Sequence, residues 1–199
     1  EIKLADIGVG RIATLCGRYF AMDSQGNWER TARAYTMLVH GEGDRADDAV
    51  SAIRNSFLRG ITDEFTAPIV LESEPGIPIS RIKEGDTIVF FNHRAESMRQ
   101  LVRSLSVPDA LGSAKPTFAS VCMTEYDRDF GLPVAFRSER SNNGLTEVLA
   151  SAGIQNVKIS QSERFPHITY FFNGGRNSEL EREKHILLPT PRSETPDQQ

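Results

Sequence analysis

The chain has 199 residues, 39% of them hydrophobic and 25% charged, with a formal net charge of −4 at neutral pH. That is the make-up of a globular protein large enough to bury a sizeable core. The mild acidity argues against general nucleic-acid binding, which needs concentrated Lys and Arg, and there is no apolar run of about 18 residues to cross a membrane. Cys16 and Cys122 stand far apart without metal-type spacing, so neither a disulfide framework nor a zinc knuckle is expected and a reducing cytoplasm is the expected compartment. The chain opens on Glu1-Ile2-Lys3, with no initiator Met or apolar leader, and closes on the polar stretch Ser193–Gln199. We read it as a piece of a longer protein without a targeting signal.

In chain order, Ile12 to Cys16 is a short apolar run ended by Gly17 and is expected to be a strand. Trp28, Ala32, Tyr35 and Val39 recur at helical spacing and predict a helix over Trp28 to Val39 that stops at Gly41. A second helix is expected from Ala46 to Leu58, with Ala49, Val50, Ile53 and Phe57 on one face and Gly60 as the stop. Pro68, Pro75, Gly76 and Pro78 then predict a loop or edge-strand region with no central strand. Thr87 to Phe91 is β-branched and aromatic without a polar face, the pattern of a strand buried on both sides. Ala95 to Leu105 follows as a helix with Met98, Leu101, Val102 and Leu105 inward, and Thr117 to Met123 as the next strand. Strand, helix and strand in alternation predict an α/β fold. The patternless polar run Arg137 to Asn143 reads as a linker. Beyond it we expect a short helix capped by Asn143 and containing Leu145, Val148 and Leu149, a strand over Val157 to Ser160, and another over His167 to Phe172 ended by Asn173-Gly174-Gly175.

Three cationic stretches are candidates for chemistry. Asn92-His93-Arg94 lies between the best strand and its following helix. Ligands of open α/β sheets bind at the carboxyl ends of strands, a helix amino terminus favours anions, and a guanidinium grips two phosphate oxygens. The alternative for Arg94 is an ion pair with Glu96. Arg18, in Gly17-Arg18-Tyr19-Phe20-Ala21-Met22-Asp23, is placed either for an anion, with Asp23 orienting it, or as a surface residue of a turn. In Glu163-Arg164-Phe165-Pro166-His167 the cation precedes an apolar strand whose approach Pro166 stiffens. His167 is read as structural ahead of ligand or general acid.

Other features carry less. Gly8-Val9-Gly10 precedes a strand instead of following one, so the context of a dinucleotide fingerprint is missing. His40, His93, His167 and His185 share no ligand spacing, and no metal site is expected. Glu42, Asp44, Asp47 and Asp48 read as a solvated helix start.

Taken together, Gly17-Arg18-Tyr19-Phe20-Ala21-Met22-Asp23, Thr62-Asp63-Glu64-Phe65, Phe90-Phe91-Asn92-His93-Arg94-Ala95-Glu96, Met123-Thr124-Glu125-Tyr126 and Glu163 through Gly175 resemble the cofactor-independent phosphoglycerate mutase family. The resemblance implies a metal-dependent enzyme of the alkaline phosphatase superfamily that interconverts 3- and 2-phosphoglycerate. A phosphatase-type domain holds two Mn²⁺ ions and a serine that takes the phosphoryl group. An inserted transferase domain, a mostly parallel sheet with flanking helices, holds the glycerate. On that basis residues 1–137 are expected to be the later part of the transferase domain, 138–143 a linker, and 144–199 the re-entry into the phosphatase-like domain. The serine and the metal ligands have no counterpart here, so the piece alone is expected to bind no metal and turn over nothing. The expected partner is a small phosphorylated acid, not nucleic acid or membrane, and the whole protein is expected to be a monomer.

Carried over by motif, Arg18 and Arg94 correspond to substrate-binding arginines. Arg164 corresponds to a catalytic lysine near the phosphoryl group, a broad fork replacing a compact ammonium. The resemblance is broken at two positions, because Ser24 and Ser97 stand where the family has arginines. Arg99, two residues on, lies roughly 200° around the helix. A lost charge-assisted hydrogen bond is worth about 1.5–3 kcal/mol, so the substitutions admit a diverged relative acting on another phospho- or phosphonate-bearing acid, or a non-catalytic anion-binding module.

Overall fold

The computed structural model describes residues 1–107, 118–137, 143–162, 164–176 and 178–189. The chain divides into two compact units, Glu1–Arg137 and Ser138–Gln199. Part of the expected linker, 138–142, lies outside the described residues, as do Thr117, Glu163 and Ser193–Gln199.

The first unit begins with α1 (Ile2–Ile7), not anticipated from the sequence, which Gly8 ends in the left-handed conformation with φ 72°. There follow β1 (Thr14–Leu15), α2 (Arg18–Ala21), α3 (Trp28–His40), β2 (Asp44–Ala46), α4 (Ala49–Leu58), β3 (Ile69–Glu74), β4 (Ile77–Pro78), β5 (Thr87–Phe90), α5 (Ala95–Ser106) and β6 (Ala119–Cys122). Their strands form two sheets. One has the order β1-β3-β2 with β4 on β3, and β3 runs antiparallel to β1 and β4 but parallel to β2. The other pairs β5 and β6 in parallel, with Phe90 opposite Cys122. The second unit holds α6 (Leu145–Ser151), β7 (Asn156–Gln161), a π-helical turn (His167–Phe171) and β8 (Glu183–Leu188), with β7 and β8 parallel. The architecture is α/β.

The inward stripe of α5 is the one its spacing predicts. Met98, Leu101, Val102 and Leu105 are all buried and pack with Ala34 and Tyr35 of α3 and with Phe90, Cys122 and Tyr126. Burying each such aliphatic side chain contributes about 1.5–3 kcal/mol. A second cluster sets Ala49 and Ala52 of α4 against Ile69 and Leu71 of β3.

Several expectations are corrected. β3 is the central strand of its sheet although prolines crowd it, because Pro68 and Pro75 bracket the strand instead of interrupting it. The Pro68 carbonyl accepts from Asp44 N–H at 2.9 Å, so the proline itself starts the ladder. β5 is covered on one face only, since Phe90 is buried while Val89 and Phe91 are exposed. The second helix starts three residues later than expected. Asp48 caps it, its carboxylate accepting from Ser51 N–H at 2.8 Å, and Asp44 lies in a strand. That helix buries Ala49, Ala52 and Ser56 and leaves Val50, Ile53 and Phe57 exposed, because small residues allow it to approach the sheet closely. On α3, Thr31, Ala34 and Met37 join Tyr35 in the interior, whereas Trp28 is exposed. Gly144, not Asn143, is the N-cap of α6, and its N–H donates to the Glu147 carboxylate at 2.7 Å. The aromatic run after Pro166 is a π-helical turn where a strand is expected. Pro166 has αR geometry and the Thr169 hydroxyl donates to the Phe165 carbonyl one turn back, so local bonds override β propensity. The strand expected there is supplied by β8 instead.

Candidate functional site

Gly17 ends the first strand segment with φ −66°, an angle any residue can adopt. The need for glycine is spatial: a Cβ there would lie 2.2 Å from the Glu64 carbonyl oxygen. Gly17 N–H also donates to the Thr66 carbonyl at 2.8 Å. This close approach brings Glu64 beside Arg18, which opens α2. The Arg18 guanidinium donates to Glu64 Oε2 at 2.6 Å, and Asp63 lies 4.0 Å away. The Glu64 side chain is 9% exposed and that of Arg18 58%, so a buried carboxylate holds the stem of a cation that still faces solvent.

Asp23 does not orient Arg18. Its buried carboxylate accepts from the N–H groups of Gln25 and Asn27, from the Asn27 amide and from Arg30 at 3.3 Å. Arg30 also stacks on Tyr19, 3.8 Å from the ring centroid. Asp23 therefore shapes the loop carrying Ser24, which is exposed. Gly26 N–H donates to Gln100 Oε1 of α5 at 2.9 Å, and Gln100 in turn donates to Thr31.

The same loop region meets the Asn92-His93-Arg94 turn. The Asn92 amide donates to Met98 Sδ at 3.1 Å and reaches Met22 Sδ at 3.9 Å. The backbone following Arg18 and the turn holding Arg94 are thus brought together at the carboxyl end of β5. Arg94 is the N-cap position of α5 and is exposed, and among the described residues its side chain makes no ion pair or hydrogen bond, with Glu96 or any other group. An uncommitted guanidinium beside the free N–H groups of a 12-residue helix forms a site suited to a phosphate or carboxylate. Arg99 is already engaged, its Nε donating to the Tyr126 carbonyl at 2.9 Å.

Arg164 belongs to the second unit, in the turn between β7 and the π-helical segment. It is exposed, and its carbonyl accepts from His167 N–H at 3.0 Å. His167 is exposed and at the start of that segment.

Sequence reasoning assigned no role to several buried polar groups. Glu64 is one, concealed because the acidic pair Asp63-Glu64 before Phe65 reads as a solvated turn and nothing in it tells which carboxylate is buried. Tyr126 is another, 1% exposed, its single hydroxyl proton shared between the carbonyls of Phe90 and Asn92. In the second unit Lys158 donates to Thr146 and Asn173 and pairs with Glu183 Oε1 at 2.6 Å. Glu183 also accepts from Asn173, from Leu180 N–H and from His185. Burial alone would raise the Glu183 carboxyl, but the bonds from Lys158, Leu180, Asn173 and His185 outweigh it and hold it down at about 2. Alternating polar residues on β7 and β8 are the only trace of this hub in the sequence.

Among the described residues no group of three or more His, Cys, Asp or Glu side chains could hold a metal ion. No helix among them is long and apolar enough to cross a membrane.

Residues 1–128 match the family described as BPG-independent PGAM N-terminus. A 2,3-bisphosphoglycerate-independent phosphoglycerate mutase of Moorella thermoacetica is 44% identical over 195 residues, covering 96% of this chain and 38% of the relative. One of Haloarcula marismortui is 42% identical over 196 residues, covering 96% and 37%. The chain thus spans well under half the length of the curated relatives it matches. A crystal structure of Leishmania mexicana phosphoglycerate mutase at low cobalt concentration superposes with a TM-score of 0.76 at 24% identity, covering 96% of this chain and 37% of that one. That structure shares the fold.

Proposed function

The chain belongs to the BPG-independent PGAM N-terminus family, and from that premise we propose that it supplies substrate-binding residues to a phosphoglycerate mutase that interconverts 3- and 2-phosphoglycerate through a phosphoserine. The observation that carries this reading is Arg94, exposed and uncommitted at the start of α5 and next to the segment that bears Arg18. In the transfer, a serine oxygen outside this chain attacks phosphorus and the glycerate oxygen leaves. The glycerate's neighbouring hydroxyl then attacks the phosphoserine and releases the serine. Arg18 and Arg94 hold the anionic glycerate through the exchange, so that it need not diffuse away between the two steps. Arg164 faces the migrating phosphoryl group in place of the family's lysine and offsets its charge. Residues 1–137 are the later transferase domain, 138–143 the linker and 144–199 the return into the phosphatase-like domain. Two Mn²⁺ ions serve the whole protein on ligands outside this chain. The described residues provide no such ligand cluster. We place the intact protein in the cytoplasm, as a monomer.

The test is a mutase assay of the intact protein with 3-phosphoglycerate. Arg94→Ala is expected to lower kcat/KM at least about tenfold, the loss of one charge-assisted contact. Unchanged kcat/KM would remove Arg94 from the site.

A second reading is favoured by Arg99. Arg99 is the cation two residues beyond Ser97, and its Nε is committed to the Tyr126 carbonyl, so it does not stand in for the missing arginine. With Ser24 also exposed and uncharged, the site around Arg18 and Arg94 suits a different phospho- or phosphonate-bearing acid. Wild-type turnover of 3-phosphoglycerate at ordinary enzymatic rates would eliminate this second reading. Absence of any phosphoserine in the intact protein would instead favour a non-catalytic anion-binding module.

A further inference from the structure

We infer that Tyr126, assisted by Thr124, is a positioning residue for Arg94, and this rests on the substrate-binding reading above. After Phe90 the chain leaves the sheet and runs through exposed positions, Phe91 at 73% and then His93 and Arg94, before α5 begins. Apolar packing does not hold such a stretch, so its geometry depends on hydrogen bonds. The segment Met123–Tyr126 provides them. Met123 N–H donates to the Phe90 carbonyl at 2.9 Å. The Tyr126 hydroxyl reaches the same carbonyl at 2.9 Å and that of Asn92 at 2.5 Å. Thr124 Oγ1 donates to the His93 carbonyl at 3.1 Å.

The far side of the turn is tied to the same segment. From the first turns of α5, Arg99 Nε returns to the Tyr126 carbonyl at 2.9 Å, and Met98 Sδ accepts from the Asn92 amide. Arg94 therefore hangs between two anchored points while its own side chain stays free. The hydroxyl is what makes Tyr126 informative. The ring is buried in an apolar cluster with Phe90, Met98 and Cys122, a place phenylalanine would fill equally well. A buried hydroxyl costs free energy unless it is bonded, and both carbonyls within reach of its one proton lie at the exit from β5. Burial, with Cys122 nearby adding to it against a bond from the Met123 backbone, raises the phenol above its ordinary range and keeps it a donor.

The experiment compares Tyr126→Phe, Arg94→Ala and the double variant in the intact protein, with 3-phosphoglycerate as substrate. Tyr126→Phe is expected to raise KM about tenfold, with a smaller change in kcat, and to have no further effect once Arg94 is alanine. Arg94→Ala without effect would defeat the substrate-binding reading itself. Arg94→Ala with effect, but Tyr126→Phe with normal KM, would overturn the positioning role alone. So would a Tyr126→Phe effect that multiplies independently with Arg94→Ala, since that is how a general structural loss behaves. Should Tyr126→Phe not fold, Thr124→Val, at an exposed contact, gives the same reading: KM raised about threefold, and only while Arg94 is present.

Discussion

Lys158 and Arg94 each stand on a parallel-strand unit, and the two units use their cations in opposite ways. Lys158 lies inside β7 with its ammonium on Thr146, Asn173 and the fully buried Glu183 carboxylate, so its charge is consumed within the protein. Arg94 stands just past β5 with its backbone held by Tyr126 and Thr124 through the neighbouring carbonyls, and its guanidinium is left open. A cation neutralised by a buried acid can only hold the chain. One whose main chain is fixed by other groups is already oriented for a ligand, with no partner to displace. Arg18 falls between them, paired to a buried acid yet mostly exposed.

The sharpest way to break this contrast is to remove each cation in turn. Lys158→Met leaves Glu183 buried without its counter-charge and is expected to cost about 3–5 kcal/mol, read by urea denaturation. Arg94→Met should change stability by less than about 0.5 kcal/mol. Equal losses would end the distinction.

Acid titration follows in size. Glu183 is held at about 2 when folded against 4.5 as its ordinary value. Its contribution is therefore complete above about 4.5 and disappears as pH falls toward 2, a loss of about 3 kcal/mol. Glu183→Gln is expected to flatten this acid limb in a pH series of unfolding midpoints. An unchanged limb would place the titrating group elsewhere. A smaller loss than at Lys158 or Glu183 is expected at the intermediate case. Glu64→Gln weakens the hold on Arg18 and should cost about 1–2 kcal/mol while raising KM for 3-phosphoglycerate several-fold. A stability loss with normal KM would make Arg18 structural, like Lys158.

The difference between the two cations was only half visible beforehand. Arg94 was legible because a β-branched run, a basic residue and a helical stripe of Met98, Leu101, Val102 and Leu105 occur in immediate succession. The partners that decide its geometry were not, since Tyr126 lies 32 residues away and its hydroxyl bonds to backbone. Proximity in sequence assigns Asp23 to Arg18, five residues before it, whereas folding gives Asp23 to Arg30. Glu64, 46 residues from Arg18, takes that place.

By itself the sequence determined the α/β class, the positions of α3, α5 and β5, and the family resemblance, because hydrophobic period and short motifs are local properties of the chain. Tertiary structure alone decided that β3 is central despite its flanking prolines, that the run after Pro166 coils while β8 pairs with β7, and which carboxylate each cation meets. Those outcomes depend on groups brought within about 3 Å by folding, a distance on which separation along the chain has no bearing.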